Sequence, residues 1–150
     1  MGRAVRVRPF EPQDLDRIAA IEQASFAGDA WDRKLLSDYS RASPELFFIA
    51  TRGRQLAGYI ITMPGPKSQS AELVSIAVEL RERRQGIGTA LIEATLAQLH
   101  LREIKSWWLM VRTTNETALR FYERHGFTRV RLVKGYYGAR RDAWRMRRAV

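Results

Sequence analysis

The sequence predicts an α/β fold in which short strands and amphipathic helices alternate along a single domain. With 150 residues, the chain is long enough for one hydrophobic core and short for two, so we expect one domain over 1–150. Residues 73–78 are mostly apolar and β-branched, as in a buried strand, and residues 90–99 place apolar side chains at helical spacing. A basic turn with two glycines, residues 83–89, separates these two patterns.

The remaining patterns extend this unit to the order β-α-α-β-β-β-α-β-α-β-β. Pro12 suits the first turn of the first helix, and Gly28-Asp29-Ala30 interrupts that helix. Arg52-Gly53-Arg54 predicts a hairpin turn, and Pro64-Gly65-Pro66 predicts a loop. Asn115 is a natural N-cap for the last helix and Gly126 a natural terminator. The predicted strands are residues 5–8, 47–51, 55–63, 71–78, 107–111, 128–133 and 142–148, and the predicted helices are residues 12–26, 31–39, 90–99 and 116–125.

The turn Arg83-Arg84-Gln85-Gly86-Ile87-Gly88-Thr89 predicts an anion site. Glycine lets the backbone approach a phosphate closely, and the first N–H groups of the following helix point toward the anion. A P-loop is excluded because no lysine follows Gly88, and a dinucleotide fingerprint is excluded because Leu91 stands where its third glycine would be.

The pattern that does fit is Arg/Gln-x-x-Gly-x-Gly, and a second motif follows it. A strand around Trp107 precedes an Asn-led helix that carries Tyr122 and ends in Gly126-Phe127. These two motifs, in this order and spacing, resemble the GNAT superfamily of acetyl-coenzyme A-dependent N-acetyltransferases. The resemblance spans Val5 to Arg147. It implies the GNAT fold, with a mixed, mostly antiparallel central sheet, a splayed pair of central strands and flanking helices.

The resemblance also implies a function for each motif residue, with acetyl-coenzyme A as cosubstrate and no metal. The backbone of the splayed strand would hold the pantetheine arm, and the Val78 N–H would polarise the acetyl carbonyl. Asn115 would bind the coenzyme arm, and Tyr122 would contact the coenzyme and protonate the departing thiolate. The expected coenzyme-binding residues are Ile76, Ala77, Val78, Arg83, Arg84, Gln85, Gly86, Ile87, Gly88, Thr89, Asn115 and Tyr122. A buried structural aromatic is the alternative for Tyr122.

Three further segments resemble the protein N-terminal acetyltransferases, and most closely the ribosomal-protein alanine N-acetyltransferases. They are the run from Ile21 to Trp31, the strand Ser75–Val78 and the segment around Tyr136 and Tyr137. The resemblance implies a protein or peptide N-terminus as acceptor, with Trp31, Tyr136 and Tyr137 binding it. The alternatives are a helix-packing role for Trp31 and a strand-edge aromatic pair for the two tyrosines.

One position departs from that group, because Met110 stands where a glutamate base is expected. A thioether cannot accept a proton at neutral pH. Glu72, on the neighbouring strand, is the predicted catalytic substitute, although a solvent-facing strand residue is the alternative for it. Glu22 and Asp142 are the further candidates.

The chemistry of the acceptor favours an α-amine over lysine for an enzyme without a strong base. About a quarter of an α-amine is neutral at pH 7.4, but only about one lysine amine in a thousand. Deprotonating the lysine costs about 4 kcal/mol at that pH. A small-molecule amine acetyltransferase remains one alternative, and a catalytically weak coenzyme A-binding or RNA-associated module remains another.

Composition indicates which partners and which cellular compartment to expect for this protein. The formal charge of +10 indicates attraction to polyanions, such as a ribosomal partner, or an arginine-rich soluble surface. The absence of cysteine is compatible with a reducing cytosol, and we expect a cytoplasmic protein without a membrane segment. His100 and His125 do not suffice for a typical zinc site and are interpreted as cations at helix C-termini.

Overall fold

In the computed structural model, which describes residues 4–65, 67 and 69–150, strands and helices follow the predicted order. The strands are β1 (Val5–Pro9), β2 (Phe47–Arg52), β3 (Gln55–Pro64), β4 (Ser70–Val78), β5 (Ser106–Arg112), β6 (Thr128–Val133) and β7 (Ala143–Ala149). The helices are α1 (Leu15–Phe26), α2 (Arg33–Ala42), α3 (Ile87–Leu101) and α4 (Glu116–Arg124).

The strands form a seven-stranded sheet in the order β1-β2-β3-β4-β5-β7-β6. The pairs β1–β2, β2–β3, β5–β7 and β6–β7 are antiparallel, whereas β4 and β5 are parallel. The parallel register joins the first three residues of each strand, Ser70–Glu72 with Ser106–Trp108, as expected where a strand pair splays. The predicted mixed, mostly antiparallel sheet is therefore confirmed.

The chain divides into two compact units, of which the first comprises Met1–Met63 and Ser75–Gln98. Its core is aliphatic and aromatic, with the Phe47 ring 4.5 Å from that of Phe10 and 6.3 Å from that of Tyr59. The prediction that α2 begins at Trp31 is wrong by two residues. Asp32 is the N-cap, since its carboxylate accepts a hydrogen bond from the Leu35 N–H at 2.9 Å.

The second unit comprises Pro64–Val74 and Leu99–Val150. On β5, buried residues alternate with half-exposed ones, so the strand has a core face and a more open face. Trp107 is buried on the core face, and its ring lies 5.3 Å from that of Phe127. The predicted caps of α4 are confirmed, because Asn115 Oδ1 accepts from the Ala118 N–H at 3.2 Å and Gly126 has a φ of +89°.

The end of β3 differs from the sequence prediction. β3 continues through Pro64, where the sequence predicted the start of a loop, and Pro66 of that loop lies outside the described residues.

No helix in the described part of the chain is long and apolar enough to cross a membrane. Over residues 4–65, 67 and 69–150, no group of three or more acidic or histidine side chains could hold a metal ion.

Candidate active site

The basic turn after β4 has the geometry of an anion site. Gly86 has a φ of +79°, and Arg84 has a φ of +65°. α3 begins at Ile87, and its first hydrogen bond runs from the Ala90 N–H to the Gly86 carbonyl oxygen at 3.0 Å. A Cβ at Gly86 would meet no atom within 4 Å, so a ligand has open space beside this backbone. This open backbone and the helix N-terminus beside it suit an anion.

Three members of the predicted turn prove to belong to the helix. Ile87, Gly88 and Thr89 lie in the first turn of α3, at the positive end of the helix dipole. The Arg83 Nε donates a hydrogen bond to the Val78 carbonyl oxygen at 3.2 Å, which ties the turn to the end of β4. Arg84 is exposed, so its guanidinium can reach an anion in solvent.

Gly58 on β3 is a residue of this region that the sequence analysis missed. A Cβ there would lie 2.9 Å from the Ala77 carbonyl oxygen and 3.2 Å from the Ile87 Cγ2. Only glycine lets β3 pass this close to both the end of β4 and the start of α3. The signal in the sequence was a glycine inside an apolar strand pattern, which often marks such a close approach.

Glu22 on α1 is buried, with 2 % of its surface exposed, and both of its carboxylate oxygens are hydrogen-bonded. Oε1 accepts from the Tyr59 hydroxyl and from Ser75 Oγ at 3.3 Å. Oε2 accepts from the Trp31 N–H at 3.1 Å. The carboxylate therefore fixes the α1–α2 connection against β3 and β4, a structural role that no local pattern indicated.

Trp31 stacks on Tyr39 of α2, with ring centroids 5.0 Å apart and an interplanar angle of 28°. It is half-exposed and lines an open depression of ≈ 400 Å³ together with Asp32, Leu35 and Asp38. The stacking matches the helix-packing alternative, and the exposed part of the ring leaves substrate binding as a prediction.

A second cavity, of ≈ 220 Å³, lies between α1 and the residues that follow β4. Ala20, Ile21 and Ala24 of α1 form its apolar wall, and Arg83 belongs to its polar rim. Arg17 is paired with Glu79 across it at 3.7 Å. This cavity adjoins the anion turn, because Arg83 lines both.

In the second unit, Tyr122 on α4 packs between two aromatic rings. Its ring centroid lies 5.6 Å from that of Phe121 and 5.9 Å from that of Phe127, both in edge-on geometry. Burial raises the pKa of the Tyr122 phenol well above its usual value, and the nearby Tyr137 adds to the shift. The phenol therefore remains protonated at neutral pH and is available as a proton donor.

The loop between β6 and β7 presents the two predicted tyrosines. The rings of Tyr136 and Tyr137 meet edge-on at 4.8 Å, and the Tyr137 hydroxyl donates to the Met110 carbonyl oxygen at 3.3 Å. Tyr136 is 49 % exposed. Asp142 Oδ1 accepts the Gly135 N–H at 2.8 Å, so this candidate base has a role in shaping the loop.

Glu72 lies on β4 directly opposite Trp108 of β5, on the half-exposed face of the sheet. Burial raises the pKa of its carboxyl above the usual 4.5, and the positive charge of Arg145 partly opposes the shift. Glu72 in turn raises the pKa of the Tyr136 phenol, after the larger effect of burial. The structure thus brings Glu72, Arg145 and Tyr136 into electrostatic contact.

Known proteins match this chain along most of its length. The family model described as acetyltransferase (GNAT) family matches residues 15–127. The [ribosomal protein bS18]-alanine N-acetyltransferase of Escherichia coli strain K12 is 31 % identical over 131 residues, which cover 87 % of this chain and 86 % of that protein.

Solved structures give the same result. Ard1 from Thermoplasma volcanium superimposes with a TM-score of 0.92 at 32 % identity, covering 98 % of both chains. Naa20 from Chaetomium thermophilum, solved with a bisubstrate analogue, has a TM-score of 0.85 at 27 % identity and covers 97 % of this chain and 86 % of its own.

Proposed function

This chain belongs to the acetyltransferase (GNAT) family, and we propose that it acetylates the N-terminal α-amino group of a protein. The observation that carries the proposal is the placement of two groups along β5: Glu72 lies opposite Trp108, and the Tyr136–Tyr137 pair is held there by the hydrogen bond from Tyr137 to the Met110 carbonyl oxygen. This grouping supplies a proton acceptor and an aromatic entrance where a peptide end can enter. The alanine N-acetyltransferase relative supports an α-amine as acceptor.

Acetyl-coenzyme A, as the donor, supplies a thioester whose carbonyl carbon accepts the amine. We assign its pyrophosphate to the turn from Arg83 to Thr89, because Gly86 leaves open space and the α3 N-terminus offers N–H donors. Ile76, Ala77 and Val78 offer backbone groups to the pantetheine, and the Val78 N–H polarises the carbonyl. Asn115 already caps α4 through Oδ1, so its Nδ2 is the atom that donates to the coenzyme arm.

Glu72 accepts the proton of the incoming ammonium, directly or through a water. Burial raises the pKa of the Glu72 carboxyl, which makes its carboxylate a stronger base than that of an exposed glutamate. An α-ammonium needs much less help than a lysine ammonium, which suits a site where Met110 replaces a carboxylate. Tyr122 gives its proton to the departing thiolate. The burial that raises the phenol pKa would raise the thiol pKa as well, since both anions lose solvation.

We expect acetyl transfer to a lysine-free peptide with a free N-terminus, and little transfer to a matched peptide whose N-terminus is blocked and whose only amine is lysine. The difference in deprotonation cost between the two amines is about 3.5 kcal/mol, in favour of the α-amine. Thiol release during turnover measures both reactions. Preference for the blocked lysine peptide, or for a free polyamine, would contradict the proposed acceptor. Coenzyme binding without transfer to any amine would favour a binding module.

The pH profile tests Glu72 as the base. In the wild type, kcat/KM should persist below the α-amine pKa of about 7.7–8.0 and fall only near the carboxyl pKa. Glu72→Gln should instead lose about tenfold in kcat/KM per pH unit below the amine pKa, because only neutral amine then reacts. Arg145→Met should move the acid limb to higher pH, since the lost positive charge had lowered the pKa of Glu72. An unchanged acid limb in both variants would assign the base to another group.

A further inference from the structure

Four arginines lie on one face of the sheet in the second unit, and we call them the arginine face: Arg112, Arg131, Arg145 and Arg147. Residues opposite each other in an antiparallel pair point to the same side of the sheet. Arg145 is opposite Met110 on one side and opposite Arg131 on the other. Arg147 is opposite Trp108. Arg112 lies two residues after Met110 on β5 and so shares its face.

This face is open to solvent to different degrees along its length. Arg131 and Arg147 are exposed, whereas Arg112 and Arg145 are half-exposed. On the opposite, core face, Phe127 packs against Trp107 and Tyr122 of α4. Within the second unit, α4 therefore packs on the face away from the arginines.

The acidic side chains of the second unit are too few to neutralise its basic groups. The second unit holds fourteen lysines and arginines against five carboxylates, so it carries +9 of the formal charge of +10. The Arg112 Nε is buried and, among the described residues, has no hydrogen-bond partner. Arg145 lies 4.1 Å over the Trp108 ring, and Arg147 donates to Ser106 Oγ at 2.8 Å. A negatively charged ligand would complete this arrangement.

The arginine face begins beside Tyr136 and Tyr137, the proposed entrance for the acceptor peptide. Met110 accepts the hydrogen bond of Tyr137 and faces Arg145 on the next strand. Since adjacent strands lie about 4.8 Å apart, Arg145 is about 5 Å and Arg131 about 10 Å from Met110 along the sheet. An extended peptide advances about 3.3 Å per residue, so about three residues span that distance.

We propose that the arginine face binds acidic side chains at the second to fourth positions of the protein N-terminus that this enzyme acetylates. The inference rests on the proposed function and specifies its substrate class. Guanidinium groups bind carboxylates through paired, charge-assisted hydrogen bonds, and the net charge of the unit draws acidic chains toward it.

An acidic peptide fits the face better than RNA. Arg145 occupies one side of the Trp108 ring, which is the surface that a nucleobase would need for stacking. The carboxylate of Glu72 lies beside this arginine and would repel a phosphate backbone. Arg131 lies on the edge strand β6, whereas Glu72 lies on β4 on the other side of β5. Exposed carboxylates two to four residues beyond the amine can therefore reach Arg131 without meeting Glu72.

The test compares two lysine-free peptides that begin with alanine and continue with three glutamates or three glutamines. In about 0.02 M salt, wild-type kcat/KM should be roughly tenfold higher for the glutamate peptide, and the ratio should shrink toward one in about 0.5 M salt. Arg131→Gln should lower the ratio about two- to fivefold, and Arg131→Gln with Arg147→Gln should lower it further. Arg131 lies on the exposed edge strand, so its variant is the primary one, and thermal unfolding checks the double variant.

Arg120→Gln provides the matched control, because it removes one charge from an exposed side chain of α4, away from the arginine face. It should leave the ratio unchanged. Equal turnover of the two peptides at low salt would overturn the acidic preference while leaving N-terminal acetylation intact. Turnover of neither peptide would overturn both proposals. Equal turnover combined with inhibition by a single-stranded RNA, relieved by Arg131→Gln, would assign the face to RNA instead.

Discussion

Tyr122→Phe should lower kcat by about 10²–10⁴, the range expected when a general acid is removed. The variant loses only the phenolic hydroxyl and keeps the ring that packs against Phe121 and Phe127. Affinity for the coenzyme should therefore change little, and the loss should appear in kcat. Steady-state kinetics together with calorimetric titration of coenzyme A separate the two effects.

The pH dependence gives this prediction a second readout. Because burial disfavours the phenolate, the phenol keeps its proton above its usual pKa of 10. If Tyr122 is the acid, kcat should not decrease between about pH 9 and pH 10, where a phenol of ordinary pKa would begin to lose its proton. Phe121→Leu is the packing control, since it alters the neighbouring ring and leaves the hydroxyl. A Tyr122→Phe enzyme that retains most of its kcat would show that the thiolate leaves unassisted or is protonated by water.

Gly86→Asp should abolish measurable binding of acetyl-coenzyme A. The new carboxylate would enter the open space beside the turn and repel the pyrophosphate, and an L-residue at a φ of +79° adds strain of about 1–2 kcal/mol. Gly88→Asp should act similarly by placing a negative charge in the first turn of α3, near the expected phosphates. Calorimetry measures the affinity, and thermal unfolding verifies that both variants are folded.

Two controls separate charge from backbone strain. Gly28→Asp adds the same charge at another glycine with open space around it and should bind the coenzyme normally. Gly86→Ala introduces strain without charge, and its Cβ would meet no atom within 4 Å, so it should weaken binding only modestly. Unchanged affinity in a folded Gly86→Asp, Gly88→Asp double variant would remove the pyrophosphate assignment.

Local sequence determined the elements and the anion turn. The apolar periods of 73–78 and 90–99 predicted β4 and α3, because side-chain spacing alone distinguishes a buried strand from an amphipathic helix. Asn115 and Gly126 predicted the limits of α4 for the same reason, since caps act within one turn of the chain. The positive φ of Gly86 likewise depends on the residue type alone, because glycine has no Cβ and adopts this conformation without strain. Such features require no knowledge of distant contacts.

The contacts of each polar side chain depend on packing between segments that are distant in the chain. Glu22 meets Tyr59 and Ser75 across 37 and 53 residues of sequence, so nothing near it revealed a buried, fully hydrogen-bonded carboxylate. The raised pKa of Glu72 and the row from Met110 through Arg145 to Arg131 depend on which strands are neighbours in the sheet. Local sequence patterns were sufficient to predict the strands, the helices and their caps, and composition gives the net charge. Strand pairing decided where that charge lies, because register is fixed by packing between segments distant in the chain.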